Sequence, residues 1–141
     1  GALLAGALLA LNIGGAWLLA QTPQKPDWRG LTAYLVEQAG EGDVIVPEPF
    51  WNAKPLRYYA GAALDVSDVA PLPASSESVA GAVAGLAERA RRLWLIEDVG
   101  HYGDPDRLLA GYLNARYPLL ATRTVEDIGE VALYRLEGES E

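Results

Sequence analysis

Polar and apolar positions divide the chain into two regimes. Residues 2–20 read ALLAGALLALNIGGAWLLA, and Asn12 is the one polar side chain in that run. At about 1.5 Å per residue a helix of this length covers roughly 28 Å, close to a hydrocarbon thickness of about 30 Å. Trp17 lies near one end of the run, where aromatic rings favour the headgroup region, and Pro23 and Pro26 stop any helix soon after. The pattern predicts a transmembrane helix over residues 1–20. A signal peptide should instead carry a basic n-region, a shorter apolar core and a small-residue cleavage site. Here the basic region is missing and the apolar run is long, so the span is preferred over a signal peptide or a buried soluble helix. With one flank visible, the positive-inside rule does not orient it. Asn12 is either an interhelical hydrogen-bonding group or a tolerated polar residue.

Beyond the leader the pattern becomes short and amphipathic. Asp27 can cap a helix whose Trp28, Leu31 and Leu35 share one face, with Gly40 at the place of a left-handed cap. Asp43-Val44-Ile45-Val46-Pro47 is an apolar, β-branched run, as expected of a strand covered on both faces. Residues 52–61 suggest a short helix carrying Leu56, Tyr58 and Tyr59, and residues 65–69 a weak strand closed by Pro71 and Pro73. Ser75 and Ser76 are cap candidates for a helix with Val79, Val83, Leu86 and Ala90 at spacings of four, three and four. Gly81 and Gly85 lie inside it, each costing about 1 kcal/mol relative to Ala, which close packing against a neighbour would justify. A membrane contact through this pair is disfavoured by Glu77, Glu88 and Arg89.

Arg92-Leu93-Trp94-Leu95-Ile96 is the second clear strand. Asp104-Pro105-Asp106 has the order of a cap, a proline at the first helical position and a first-turn acid. It predicts a helix to about Arg116 with Leu108, Leu109, Tyr112 and Leu113 on its apolar face. Two strands, roughly 119–125 and 131–136, follow around a turn at residues 126–130. Alternating helices and strands imply one small layered α/β domain over residues 21–141, with a Rossmann-like sheet, parallel early and closed by an antiparallel hairpin.

Charge sharpens the division. None of the first 24 residues is charged, so all 11 basic and 19 acidic side chains follow them. The net charge of −8 argues against unaided binding to nucleic acid or acidic lipid. Without cysteine there is no disulfide, thiol nucleophile or Cys-based zinc site. Without methionine, Gly1 is expected to follow processing or to lie within a longer chain.

In open α/β sheets, ligands settle beyond the carboxyl ends of the strands. Those ends are Pro47-Glu48-Pro49-Phe50-Trp51-Asn52 and the loop from Glu97 to Asp104. If the two strands are neighbours, Glu48, Glu97, Asp98, His101 and Asp104 converge, with Trp51 and Tyr102 beside them. One imidazole among carboxylates suits a divalent cation or acid–base work. The plainer expectation is that Asp104 caps a helix and that Glu97 and Asp98 are solvated loop acids, because His101 is the only histidine. The Asp104-x-Asp106 spelling resembles a metal-holding motif of sugar-nucleotide transferases, but at a helix start it is weak. No Gly-rich phosphate loop and no nucleophile elbow occurs. Trp28, Trp51, Tyr58 and Tyr59 could stack on sugars, although aromatics at this spacing more often belong to a core. Arg89, Arg91 and Arg92 are too few for a nucleic-acid patch and are expected to be solvated or paired with nearby acids. The sequence implies no cofactor and no metal.

The order of segments resembles a known family. The apolar helix leads into Pro26-Asp27-Trp28-Arg29-Gly30, a helix, and Gly42-Asp43-Val44-Ile45-Val46. Pro55-Leu56-Arg57-Tyr58-Tyr59 and Arg92-Leu93-Trp94-Leu95-Ile96 follow, then the loop from His101 to Asp106 and Leu113-Asn114-Ala115-Arg116-Tyr117-Pro118. This is similar to the C-terminal end of bacterial multi-spanning glycosyltransferases of the dolichyl-phosphate-mannose–protein mannosyltransferase type. The resemblance implies a last membrane helix followed by an extracytoplasmic α/β domain at the cell membrane. It also implies an upstream transmembrane core, and sugar transfer from a polyprenyl-phosphate donor to a glycan or other acceptor. The family's catalytic carboxylates lie in an earlier loop with no counterpart here, so no catalytic residue carries over. Acceptor or donor recognition remains for this domain. The other readings from the residues are a membrane-tethered binding domain without a transferase, and a small metal-dependent hydrolase using the His101 loop.

Overall fold

The computed structural model describes residues 25–68 and 75–137, so the apolar leader, the Pro71–Pro73 segment and the acidic tail from residue 138 lie outside the described residues. Among the described residues no helix is long and apolar enough to cross a membrane. Five stretches of helix and four strands follow in order among the described residues. They are helix α1 (Trp28–Gln38), strand β1 (Asp43–Glu48), a 3-10 turn (Phe50–Asn52) and helix α2 (Ala53–Ala60). Helix α3 (Ser76–Ala87), strand β2 (Arg92–Asp98), helix α4 (Leu108–Arg116), strand β3 (Leu119–Val125) and strand β4 (Gly129–Arg135) complete the domain.

The strands form one mixed sheet in the order β1-β2-β4-β3. β1 and β2 run parallel with Val44 opposite Leu93 and Glu48 opposite Glu97. β4 lies antiparallel to β2, pairing Ile96 with Val131, and the β3–β4 hairpin is antiparallel. The weak strand expected over 65–69 is a single parallel bridge from Val66 to Ile45.

Alternation along the strands builds two cores. Val44, Val46, Leu93, Leu95, Ala132 and Tyr134 face α3 and α4, where Val79, Val83, Leu86, Leu109 and Leu113 cover them. Ile45, Trp94, Ile96, Val131 and Leu133 face Leu31, Leu35, Ala53 and Leu56 of α1 and α2. Edge strand β3 is exposed along nearly its whole length, and Arg123 stacks on the Tyr34 ring at 4.3 Å.

Local chemistry sets the helix ends. Asp27 accepts from the Gly30 N–H at 2.8 Å, and Ser75 and Ser78 exchange hydrogen bonds in a capping box. Gly40 is not the left-handed cap the sequence suggested: α1 ends at an extended Ala39, and the positive φ falls at Gly42. α4 starts at Leu108, later than the Asp-Pro-Asp order implied, because residues 105–106 turn and Arg107 takes φ 52°. Asp104 still caps, accepting from the Leu109 N–H at 2.7 Å. Among the described residues the close neighbours expected of Gly81 and Gly85 are absent, since a Cβ at either would meet nothing within 4 Å. Nothing in the structure explains those two glycines.

A buried ion pair locks the amino ends of β1 and β2. The Asp43 carboxylate accepts from Arg92 Nε and Nη2 at 2.7 Å each, from Trp94 Nε1 at 2.8 Å and from the Gly40 N–H at 3.0 Å. Burial alone would raise its pKa, but these hydrogen bonds and the Arg92 charge prevail and hold it below the ordinary value. The three arginines of this stretch are all paired, Arg89 with Asp65, Arg91 with Glu137 and Arg92 with Asp43.

Candidate functional site

Parallel pairing of β1 and β2 brings the two strand ends together, as their apolar runs suggested. Glu48 and Glu97 are register partners. Residues alternate across a strand, so Glu97 follows Leu93 and Leu95 to the α3–α4 face, while Asp98 follows Trp94 and Ile96 to the α1–α2 face. Glu48 shares the side of Val44 and Val46.

Glu97 is neither solvated nor in a loop. It lies one residue before the end of β2 at 4% exposure, and Arg107 grips it with two hydrogen bonds, Nε to Oε1 at 2.9 Å and Nη2 to Oε2 at 2.6 Å. The pairing raises the Arg107 pKa further. Arg107 reaches back because it sits in the left-handed region just before α4.

Glu48 is sealed beneath the second loop at 3% exposure, and its Oε1 has no hydrogen-bond partner. A Cβ on Gly103 would lie 2.0 Å from that oxygen, so only glycine lets the loop close over it. Burial first, then the charges of Asp104, Glu97 and Asp98, push the Glu48 pKa up to about 7. Asp104 is equally buried. Its Oδ2 caps α4, and its Oδ1 also lacks a partner. With its pKa near 7 the Glu48 carboxyl takes up a proton below that pH, in a site where its own Oε1 and Asp104 Oδ1 have no hydrogen-bond partner among the described residues.

Asp98 stands apart on the other side. Its Oδ1 accepts from the Gly100 N–H at 2.8 Å, and its Oδ2 lies 3.4 Å from Asn52 Nδ2. His101 is half-buried with φ 45°, and its backbone N–H donates to the Asp98 carbonyl at 3.0 Å. Glu97, Asp98, His101 and Arg107 border an open depression of about 270 Å³, closed on its far side by Thr124, Gly129 and Glu130. Tyr102 is 78% exposed, and Trp51 projects from the 3-10 turn against Phe50 with ring centroids 5.4 Å apart.

Glu48, Glu97 and Asp104 therefore gather on one side, Asp98 and Trp51 belong to the other, and His101 joins Glu97 and Asp98 only around the depression. Among the described residues no group of three or more His, Asp or Glu side chains could hold a metal ion. The core expected for the aromatics fails at Trp51, Tyr58 and Tyr59, all exposed, whereas Trp28 packs partly against the α1–α2 core. Arg107, Thr124 and Glu130 were not anticipated. Arg107 is the first cation after the loop acids, which is a readable signal. The hairpin residues are there because β4 inserts beside β2, which local pattern does not announce.

The arrangement offers hydrogen-bond donors and acceptors around an open, polar hollow. Among the described residues no hydrogen bond joins a hydroxyl of this hollow to a base. No family model matches this chain, and neither a curated protein nor a solved structure is similar to it.

Proposed function

We propose that residues 21–141 form a non-catalytic, extracytoplasmic module of a polyprenyl-phosphate-sugar-dependent membrane glycosyltransferase, tethered by a transmembrane helix over residues 1–20. In this reading the depression at the end of β2 recognises hydroxyl groups of a glycan acceptor or of the lipid-linked donor sugar. One observation carries the choice of binding over chemistry: the acids at the strand ends are committed within the domain. Arg107 clamps Glu97, Asp104 caps α4, and Glu48 is closed off from solvent. An acid–base catalyst needs a group within hydrogen-bond reach of substrate, and these point inward. The rim of the depression is different. Glu130, Thr124 and His101 present mixed donors and acceptors, with Tyr102 exposed nearby for stacking.

Two measurements test the proposal. A reporter fused after Glu141 should be active only when exported, and a cytoplasmic C-terminus refutes it. In membranes carrying the complete reading frame, transfer from a polyprenyl-phosphate sugar should keep kcat within about threefold in Glu130→Ala and His101→Ala while KM for acceptor or donor rises. A hundredfold loss of kcat would show that the domain takes part in the chemistry. If the reading frame encodes no further membrane spans, the domain is a tethered binding module without a transferase.

A further inference from the structure

We infer that the α1–α2 side of the sheet's carboxyl end rests against the bilayer surface, with Phe50 and Trp51 in the headgroup layer and Lys25, Arg29 and Lys54 over anionic lipid phosphates. The inference rests on the proposed membrane span over residues 1–20.

Chain direction provides the first argument. α1 leads into the amino end of β1, so its own N-terminus lies at the opposite, carboxyl end of the sheet. The neighbours of that N-terminus agree: Asp27 and Gly30 lie beside Arg123 and Val125, and Val125 pairs with Gly129, the register partner of Asp98. The leader therefore joins the domain at the end carrying the exposed 3-10 turn. Seven residues, Gln21 to Asp27, separate the apolar run from α1. Fully extended they reach at most about 25 Å. A span ending at residue 20 thus keeps this end of the domain close to the membrane.

The second argument is what that surface presents. Phe50 and Trp51 are 43% and 44% exposed and stack edge to face, held out by a turn whose Asn52 N–H donates to the Pro49 carbonyl. A tryptophan beside a phenylalanine, one end apolar and one able to donate a hydrogen bond, suits the membrane interface.

Charge placement is the third. Lys25, Arg29 and Lys54 are exposed at the starts of α1 and α2, and none forms an ion pair among the described residues. On this side Asp27 is committed to capping α1 and Asp98 to the Gly100 and Asn52 donors. Glu48, Glu97 and Asp104 lie on the other side, buried or paired. Three free cations thus stand on the leader side, against Glu126 and Asp127, the two exposed acids of the β3–β4 turn at this end. Basic groups next to a span are attracted to anionic headgroups within a Debye length.

The test uses the full chain reconstituted in phosphatidylcholine vesicles with and without 30% phosphatidylglycerol, quenching tryptophan with a headgroup-attached nitroxide lipid. Of the four tryptophans, Trp17 reports the leader and Trp51 the surface, Trp94 is buried in the core, and Trp28, half-buried at the start of α1, is common to both variants. Both W17F and W51F should each remove a distinct share of the quenchable fluorescence. The double variant R29E/K54E should cut the Trp51 share at least twofold on phosphatidylglycerol vesicles, with a smaller change on phosphatidylcholine alone. If W17F removes quenching and W51F changes nothing, the span stands and the surface assignment is overturned. Quenching unaltered in both variants overturns the span and the surface together. A Trp51 share unchanged in R29E/K54E overturns the contact with lipid phosphates.

Discussion

Replacing Glu48 by Gln removes a charge without changing shape, at a site where the loop through Gly103 leaves no room to relax. The carboxyl titrates at its ordinary 4.5 in the unfolded chain and at about 7 in the folded one, raised by burial and by the neighbouring Asp104, Glu97 and Asp98. Between those values the folded state holds more protons than the unfolded state, so stability falls as pH rises through the window and levels off above it. At 1.36 kcal/mol per pKa unit the total loss is about 3 kcal/mol. Asp43 titrates below its ordinary 3.8 and Tyr134 is raised from 10.0 to about 12, chiefly by burial, so neither contributes within this window. Urea unfolding of the full chain in neutral detergent, followed by Trp94 fluorescence at several pH values, reads the effect. With a slope of about 1–3 kcal/mol per molar urea, the wild-type midpoint should drop by about 1–3 M between pH 4.5 and 8. In Glu48→Gln this drop should vanish, making the variant the more stable protein at pH 8 and nearly equal to wild type at pH 4.5. The same pH slope in variant and wild type would refute the assignment of this titration to Glu48.

Three further substitutions probe the supports of the site and the frame beneath it. Arg107→Ala strands the buried Glu97 carboxylate and should cost about 3–5 kcal/mol in the same unfolding assay, with Glu97→Gln in the Ala background recovering part of the loss. Asp43→Asn weakens four hydrogen bonds and should cost about 3 kcal/mol at pH 7. Because the Asp43 pKa is lowered, its stabilisation is full above 3.8 and disappears as pH falls through the folded value, so the variant should lose less stability on acidification than wild type. Gly129→Ala places a Cβ 1.8 Å from the Glu97 carbonyl at a φ of +143°, and should cost more than about 3 kcal/mol or prevent folding, as circular dichroism would show.

What the sequence disclosed follows physical lines. Runs such as Val44-Ile45-Val46 and Leu93-Trp94-Leu95-Ile96 declare strands buried on both faces, and such strands pair in parallel beneath helices. The convergence of Glu48, Glu97 and Asp104 was therefore readable once the two runs were taken as neighbours. Asp104-Pro105-Asp106 misplaced the start of α4 because a cap and a turn use the same residues, and the choice depends on Arg107 reaching Glu97, a tertiary contact. The aromatics misled for a related reason. α2 buries Ala53 and Leu56, so Tyr58 and Tyr59 have no sheet left to cover. The position of β4 between β2 and β3 was also hidden, since a hairpin can dock by either strand and the β3 pattern Leu119-Leu120-Ala121-Thr122 shows no clear buried face.

The unlike sides of the carboxyl end have a common cause in the strand repeat of two residues. Glu97 and Asp98 are adjacent in sequence, yet one turns to α3–α4 and meets Arg107, while the other turns to α1–α2 and meets Asn52. A register slip of one residue in β2 would reverse them, taking Glu97 from Arg107 and Asp98 from Asn52. The partner of each acid thus favours the native register, and the register sends Glu97 and Asp98 to different sides. Under the proposed function that separation matters, because a hollow for sugar hydroxyls needs acceptors and donors while a surface meeting lipid phosphates needs cations. The leader enters on the aromatic and basic side, so the same strand alternation that seals Glu97 also determines which side of the domain can approach a membrane.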